Sequence, residues 1–224
     1  MISVAIDGPA GAGKSSIAKK LASELGFVYI DTGAMYRTLA YKAIKLGINI
    51  KDEPQKVCSM LSDTAIDIKY SEGLQRMIAD ETDVTDFIRT PEVSMGASAI
   101  SAIPEVRAWL LDYQRELAQK TNCLMDGRDI GTVVLPFADV KVFLTASPQA
   151  RAKRRFDELC AKGEKVTFEE VLADMNQRDS QDASRACAPL KQADDALLVD
   201  TSDLTFDESV EAIRKIITDK VGEI

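Results

Sequence analysis

The chain alternates short apolar runs with longer stretches in which apolar residues recur every three or four positions. Residues 2–7, ISVAID, form a β-branched run of strand length. From Lys14 to Leu25, Ile17, Ala18, Leu21, Ala22 and Leu25 fall on one helical face. FVYI at 27–30 predicts a second strand and residues 34–46 a second helix, while CLMD at 123–126, VKVFL at 140–144 and LLV at 197–199 predict further strands. A last helix carries Phe206, Val210, Ile213, Ile217 and Val221 on one side. Short apolar strands separated by amphipathic helices imply an α/β fold whose parallel sheet is covered on both faces.

Two stretches break this rhythm. Between about 63 and 90, AIDIKY, LQRMIAD and DVTDFI predict short antiparallel strands with a turn at Ser71–Gly73, a small inserted β-lobe. Residues 148–185 are strongly charged, with two helical patterns hinged near Gly163. A segment with so little apolar surface to anchor it is expected to move.

Composition narrows the chemistry. The 224 residues suffice for one sizeable core with small inserted lobes, and the hydrophobic share of 46% with 29% charged residues is that of a globular protein. A net charge of −8 argues against a general nucleic-acid-binding surface, so clustered arginines would serve a local purpose. The absence of histidine excludes His-based acid–base catalysis and His metal sites. Cys58, Cys123, Cys160 and Cys187 form no CxxC pair and are read as buried free thiols. No signal peptide or membrane-spanning stretch is visible, which makes a reducing cytoplasm the expected location.

The clearest chemistry lies at Gly8-Pro9-Ala10-Gly11-Ala12-Gly13-Lys14-Ser15-Ser16, which matches G-x-x-x-x-G-K-[ST] between a predicted strand and a predicted helix. Glycines let the backbone curl so that its N–H groups form an anion nest, and the helix N-terminus adds its positive end. Lys14 can reach the β- and γ-phosphates of a nucleoside triphosphate, and the Ser15 hydroxyl can bind Mg²⁺. A GTPase would also need a guanine-reading Asn-Lys-x-Asp segment, and the nearest string, NQRD at 176–179, lacks the lysine.

Arginine-bearing stretches are candidates for a second, acceptor site: DTGAMYR (31–37), EVRAWL (105–110), DGRDIG (126–131) and RDSQDASR (178–185). The first follows strand FVYI and the third follows strand CLMD. In open parallel sheets ligands bind at the carboxyl ends of strands, so these segments and the glycine-rich loop are expected at one edge of the sheet.

IDGPAGAGKSS, YIDTGAMYR, DGRDIGTVVLP and RDSQDASR…APL together resemble the bacterial cytidylate kinase family of nucleoside monophosphate kinases, in order and spacing and over essentially the whole chain. The resemblance implies ATP-dependent phosphorylation of CMP and dCMP with Mg²⁺; a monomer without nucleic-acid or membrane partners is expected. It implies a P-loop core over 1–35, 92–147 and 186–224. A monophosphate-binding lobe with the β insert would span 36–91, and a lid 148–185. By resemblance, Lys14, Arg37 and Arg128 are catalytic, and Arg37, Arg128 and Arg185 hold the acceptor phosphate beside Asp31 and Thr32. Asp182 then accepts from the ribose hydroxyls, Arg178 orients the sugar, and Asp129, Arg107 and Ser98 read the base. Arg154 is placed on the ATP phosphates; Arg151 and Arg155 share its helical face, where a solvated charged surface is the alternative.

Residue chemistry agrees with such a transfer. A phosphate monoester has a second pKa of about 6, so its oxygen is a nucleophile at neutral pH and no catalytic base is required. Bidentate guanidinium groups suit phosphate better than a lysine point charge. Uracil places an acceptor where cytosine has its N4 donor, which at Asp129 would cost about 1–3 kcal/mol per lost contact. Gln181 and Ala183 stand where relatives often carry basic side chains, and Ser16 where threonine is common. Two other readings stay open here: a kinase for UMP or a small metabolite, and a nucleotide-binding switch without transfer.

Overall fold

The computed structural model describes residues 1–71 and 74–222. In chain order its elements are β1 (Ser3–Asp7), α1 (Lys14–Leu25), β2 (Val28–Asp31), α2 (Thr32–Lys45), α3 (Pro54–Leu61), β3 (Ile66–Ser71), β4 (Leu74–Ala79), β5 (Thr82–Asp83), α4 (Pro91–Ile100), α5 (Pro104–Lys120), β6 (Cys123–Gly127), a π-helical turn (Ile130–Val134), β7 (Val140–Thr145), α6 (Pro148–Ala161), α7 (Phe168–Ser184), β8 (Leu197–Asp200) and α8 (Phe206–Val221). Contacts divide the chain into two units, Met1–Tyr29 with Thr121–Ile224, and Ile30–Lys120.

The first unit is built on a five-stranded sheet of order β2-β6-β1-β7-β8. β1 pairs in parallel with β6 and with β7, and β7 with β8. β1 and β6 are near-continuous apolar runs because both of their faces are covered. Val4 and Ile6 pack with Ile17 and Leu21 of α1, Val140, Val142 and Leu144 of β7, and Val210, Ile213 and Ile217 of α8. Each such side chain contributes about 1.5–3 kcal/mol on burial. A Thr205–Glu208 capping box starts α8. Phe206, expected on its apolar face, is 47% exposed because it lies in the first turn, ahead of the covered stretch.

α6 and α7 form a helical hairpin that turns at Gly163, whose φ of +79° suits a residue without Cβ. The hairpin is better anchored than its charge suggested. Ala152, Leu159, Val171 and Met175 form a buried cluster of their own, flanked by Phe156, Val166, Phe168 and Leu172.

In the second unit, α2 and α4 pack together, and β3-β4-β5 form a three-stranded antiparallel sheet. Its register runs from Ile66 opposite Ala79 to Ser71 opposite Leu74. The β-lobe is thus present, with a correction at its end: only Thr82–Asp83 pair as a strand, and most of DVTDFI is turn. The Thr85 amide and hydroxyl both donate to Asp83 Oδ1 and not to a strand carbonyl. The turn expected at Ser71–Gly73 includes Glu72 and Gly73, which lie outside the described residues. The cysteines also differ from expectation: Cys123 is buried within β6, Cys58 and Cys187 are partly exposed, and Cys160 is exposed on the outer face of α6. Among the described residues no helix is long and apolar enough to cross a membrane.

Candidate active site

The phosphate loop leaves β1 at Asp7 and enters α1 at Lys14. Gly8 (φ +147°) lies so close to β7 that a Cβ would sit 1.9 Å from the Leu144 carbonyl oxygen, so only glycine is accommodated. At Gly11 (φ +73°) a Cβ would meet Met175 Cε at 2.6 Å, which brings α7 directly onto the loop. Gly13 precedes α1 in the left-handed conformation, and no side chain caps that helix. The N-terminal amides are therefore not engaged by a cap, as an anion site requires.

Lys14 is buried, and its Nζ donates to the Pro9 carbonyl at 2.7 Å. Burial holds its pKa well below the ordinary lysine value; Arg128 and Arg178 push the same way, against Asp126 and Asp7. The ammonium thus stands buried between two arginines and two aspartates. Ser15 Oγ donates to Asp126 Oδ2 at 2.7 Å, and Tyr29 donates to Asp126 Oδ1 at 2.9 Å.

Beside the loop, β6 ends at Gly127, which stands opposite Asp7 in the parallel register. Arg128 and Asp129 follow at once. Arg128 Nε donates to Asp182 Oδ2 at 2.8 Å, and Arg185 donates to Asp182 Oδ1. Burial raises the pKa of Asp182, but Arg128 and Arg185 more than offset this and hold it below the usual carboxylate value. Asp7 accepts from the Ile130 and Gly131 N–H groups, each at 2.7 Å. Burial is the main cause that raises its pKa to about 6 despite those bonds.

Among the hairpin arginines, Arg151 is bonded to the phosphate loop. Its Nη1 donates to the Ala10 carbonyl at 3.0 Å and to Asp179 at 2.6 Å, while Nε donates to Ala146. Arg154, expected on ATP, here donates to the Thr201 hydroxyl at 3.1 Å and carbonyl at 2.5 Å. Arg155 pairs with Glu158 on the surface.

Within the second unit, Asp31 caps α2 by accepting from Ala34 N–H at 2.8 Å, and its other oxygen accepts from Arg37 at 2.8 Å and Arg89 at 3.4 Å. Among the described residues Arg37 Nε is buried without a hydrogen-bond partner, a donor set up for an acceptor. Thr32 is buried as the first residue of α2. Arg107 is buried with its guanidinium 5.6 Å from the centroid of the Tyr36 ring, a cation–π contact, and donates to the Ser101 carbonyl at 3.2 Å. Ser101 in turn donates to the carbonyl of Ser98.

The first unit therefore gathers Lys14, Ser15, Arg128, Asp182 and Arg185, and the second gathers Asp31 with Arg37 and Ser98 with Arg107. Sequence reasoning missed Asp7, Asp126 and Arg89. The available signal for the first two was an acidic residue closing a buried apolar strand, followed directly by glycine.

A protein-family model described as cytidylate kinase matches residues 4–219. A cytidylate kinase from Desulfitobacterium hafniense is 50% identical over 220 residues, covering 98% of this chain and 94% of the relative. One from Caldicellulosiruptor saccharolyticus is 48% identical over 222 residues, covering 99% and 97%. Among solved structures, an uncharacterized protein from Eubacterium ventriosum has the same fold, with a TM-score of 0.55 at 14% identity over 97% of this chain and 98% of that one.

Proposed function

The chain belongs to the cytidylate kinase family and phosphorylates CMP and dCMP with ATP as donor, and from that premise we propose how its residues divide the reaction. The observation that carries the assignment is the phosphate loop with buried Lys14 beside the turn that presents Arg128, on neighbouring strands. Gly8 to Ser16 hold the ATP phosphates, with Lys14 on the β- and γ-groups. Arg37, Arg128 and Arg185 hold the acceptor phosphate, supported by Asp31 and Thr32. An acceptor oxygen attacks the γ-phosphorus; the bond to the β–γ bridging oxygen breaks, and ADP leaves. Positioning and positive charge supply the catalysis, since the nucleophile is already ionised.

Ser15 Oγ and the Asp126 carboxylate are hard oxygen donors at the foot of the loop, and they fit Mg²⁺. Among the described residues no group of three or more His, Cys, Asp or Glu side chains is placed to hold a metal ion. Held there, Mg²⁺ would supply positive charge that offsets the charge developing on the transferred phosphoryl group.

Asp182 serves the ribose, Arg178 orients it, and Asp129, Arg107 and Ser98 read cytosine. Residues 148–185 act as a lid, which the separate apolar cluster and the turn at Gly163 support. Residues 36–91 act as the monophosphate lobe, and 1–35, 92–147 and 186–224 as the core. Arg154 reaches the ATP phosphates only if it leaves Thr201. The enzyme acts as a cytoplasmic monomer on small-molecule substrates, which sedimentation and cell fractionation would check.

A coupled assay with ATP and a panel of CMP, dCMP, UMP, AMP and shikimate tests the reading. CMP and dCMP should be the preferred acceptors; a preference for any other acceptor overturns it. Asp129→Ala should narrow the CMP/UMP ratio of kcat/KM by about tenfold, the worth of one base contact. A ratio within twofold of the parent removes Asp129 from base reading.

A further inference from the structure

The Ile130–Val134 turn has its first amide donors satisfied from a distant part of the chain. Asp129, which precedes it, makes no side-chain cap. A short helical turn leaves its first N–H groups without internal partners, and an adjacent side chain is the usual remedy. Here the acceptor is Asp7, 123 and 124 residues away in sequence, and it takes both donors. Asp7 closes β1 directly before Gly8 opens the phosphate loop, and in the sheet it stands opposite Gly127, directly before Arg128. One carboxylate therefore joins the strand that launches the donor loop to the turn that carries Arg128 and Asp129.

We propose that Asp7 is a positioning residue whose carboxylate clamps the Ile130–Gly131 backbone and thereby fixes Arg128 and Asp129 relative to Lys14. The inference rests on the acceptor-side roles given above to Arg128 and Asp129. The carboxylate is buried, and burial raises its pKa to about 6, so the fold bears a cost for keeping an acid there. A local cap would satisfy the same amides without joining two strands. What the long-range clamp adds is a fixed distance between the two phosphate-handling segments.

Asp7→Asn keeps the shape but replaces one acceptor by an NH₂ group facing a backbone N–H. We expect the KM for CMP to rise about tenfold or more, the loss of one hydrogen bond to a charged group. The KM for ATP should rise by clearly less than the KM for CMP, because the loop's own amides are untouched and Asp7 acts on Lys14 only through its charge. The Ile130 and Gly131 amide resonances should shift in the ¹⁵N spectrum of the free enzyme. Should the variant not fold, Asp7→Ser, which is smaller and retains one acceptor, takes its place. Arg128→Ala is measured alongside. If Arg128→Ala raises the KM for CMP and the Asp7 variant does not, the clamp is refuted while the acceptor site stands. If the Asp7 variant weakens ATP and CMP equally, or leaves both amides in place, Asp7 is a structural residue only and the proposal fails. If Arg128→Ala has no effect on CMP, the acceptor-site reading falls and the inference falls with it.

Discussion

At the end of the parallel sheet, Asp7 is held by backbone amides and Asp126 by two hydroxyl groups, whereas in the hairpin Arg151 pairs with Asp179, and Asp182 pairs with Arg185 and with Arg128. The first set is placed by strand register and stays in place as long as the sheet does. The second set is placed largely by ion pairs, with Arg151 also donating to two backbone carbonyls, and an ion pair can be exchanged. A phosphate monoester offers Arg128 and Arg185 the same kind of oxygen that Asp182 now offers, without any backbone bond being broken. The apolar layers differ in the same sense. The sheet shares one cluster with α1 and α8, while the hairpin has a small cluster of its own. Under the proposed division of roles, this fold keeps the donor loop and acceptor turn preformed and leaves the hairpin to be set by ligand.

Removing a sheet-end group should have the largest effect. Lys14→Ala should lower turnover at least about a hundredfold with every acceptor, because a cation fixed beside the transferred phosphate is lost from a preformed site. Near-normal turnover in a folded variant would remove Lys14 from the mechanism. Asp182→Asn comes next. It frees Arg128 and Arg185 from a common partner, and the KM for CMP should rise about tenfold while the KM for ATP changes little, on the scale of a lost charge-assisted bond. Steady-state kinetics with each substrate varied in turn decides this, and equal changes for both substrates would contradict it.

A stability comparison is subtler. Leu159→Ala in the hairpin and Ile213→Ala in the sheet cluster both delete buried methyl groups, at an ordinary cost of about 2–5 kcal/mol. For Ile213→Ala we expect this as a lower midpoint of global unfolding. For Leu159→Ala we expect faster amide exchange within 148–184 and a nearly unchanged midpoint. A global loss in both would mean that the hairpin and sheet unfold as one unit.

Much of this arrangement was legible in the sequence, and what was not has identifiable causes. Lys14 and Ser15 stand in a motif whose spacing is itself the geometry, and the apolar runs of β1, β6 and β7 announce a buried sheet. Asp7 and Asp126 carry no such local sign, because their partners are set by which strands are neighbours, and β1 beside β6 is a fact of topology. The hairpin cluster escaped notice because its apolar residues are divided between two helices and diluted by charge. Phe156 and Phe168 meet edge-on at 6.3 Å only once the chain has turned at Gly163. DVTDFI alternates well enough to suggest a strand, but the Thr85 hydroxyl, donating to Asp83, takes the Met77 amide at 2.8 Å where a strand would offer a carbonyl.

Amide hydrogen exchange with and without a bisubstrate analogue that joins the two nucleotides tests the contrast between the two regions most directly. Protection over residues 150–185 should rise at least about tenfold on binding, while Ser3–Asp7 and Cys123–Gly127 remain as protected as in the free enzyme. Equal protection of 150–185 in both states would show that the hairpin is a fixed part of the sheet's architecture, contradicting the account.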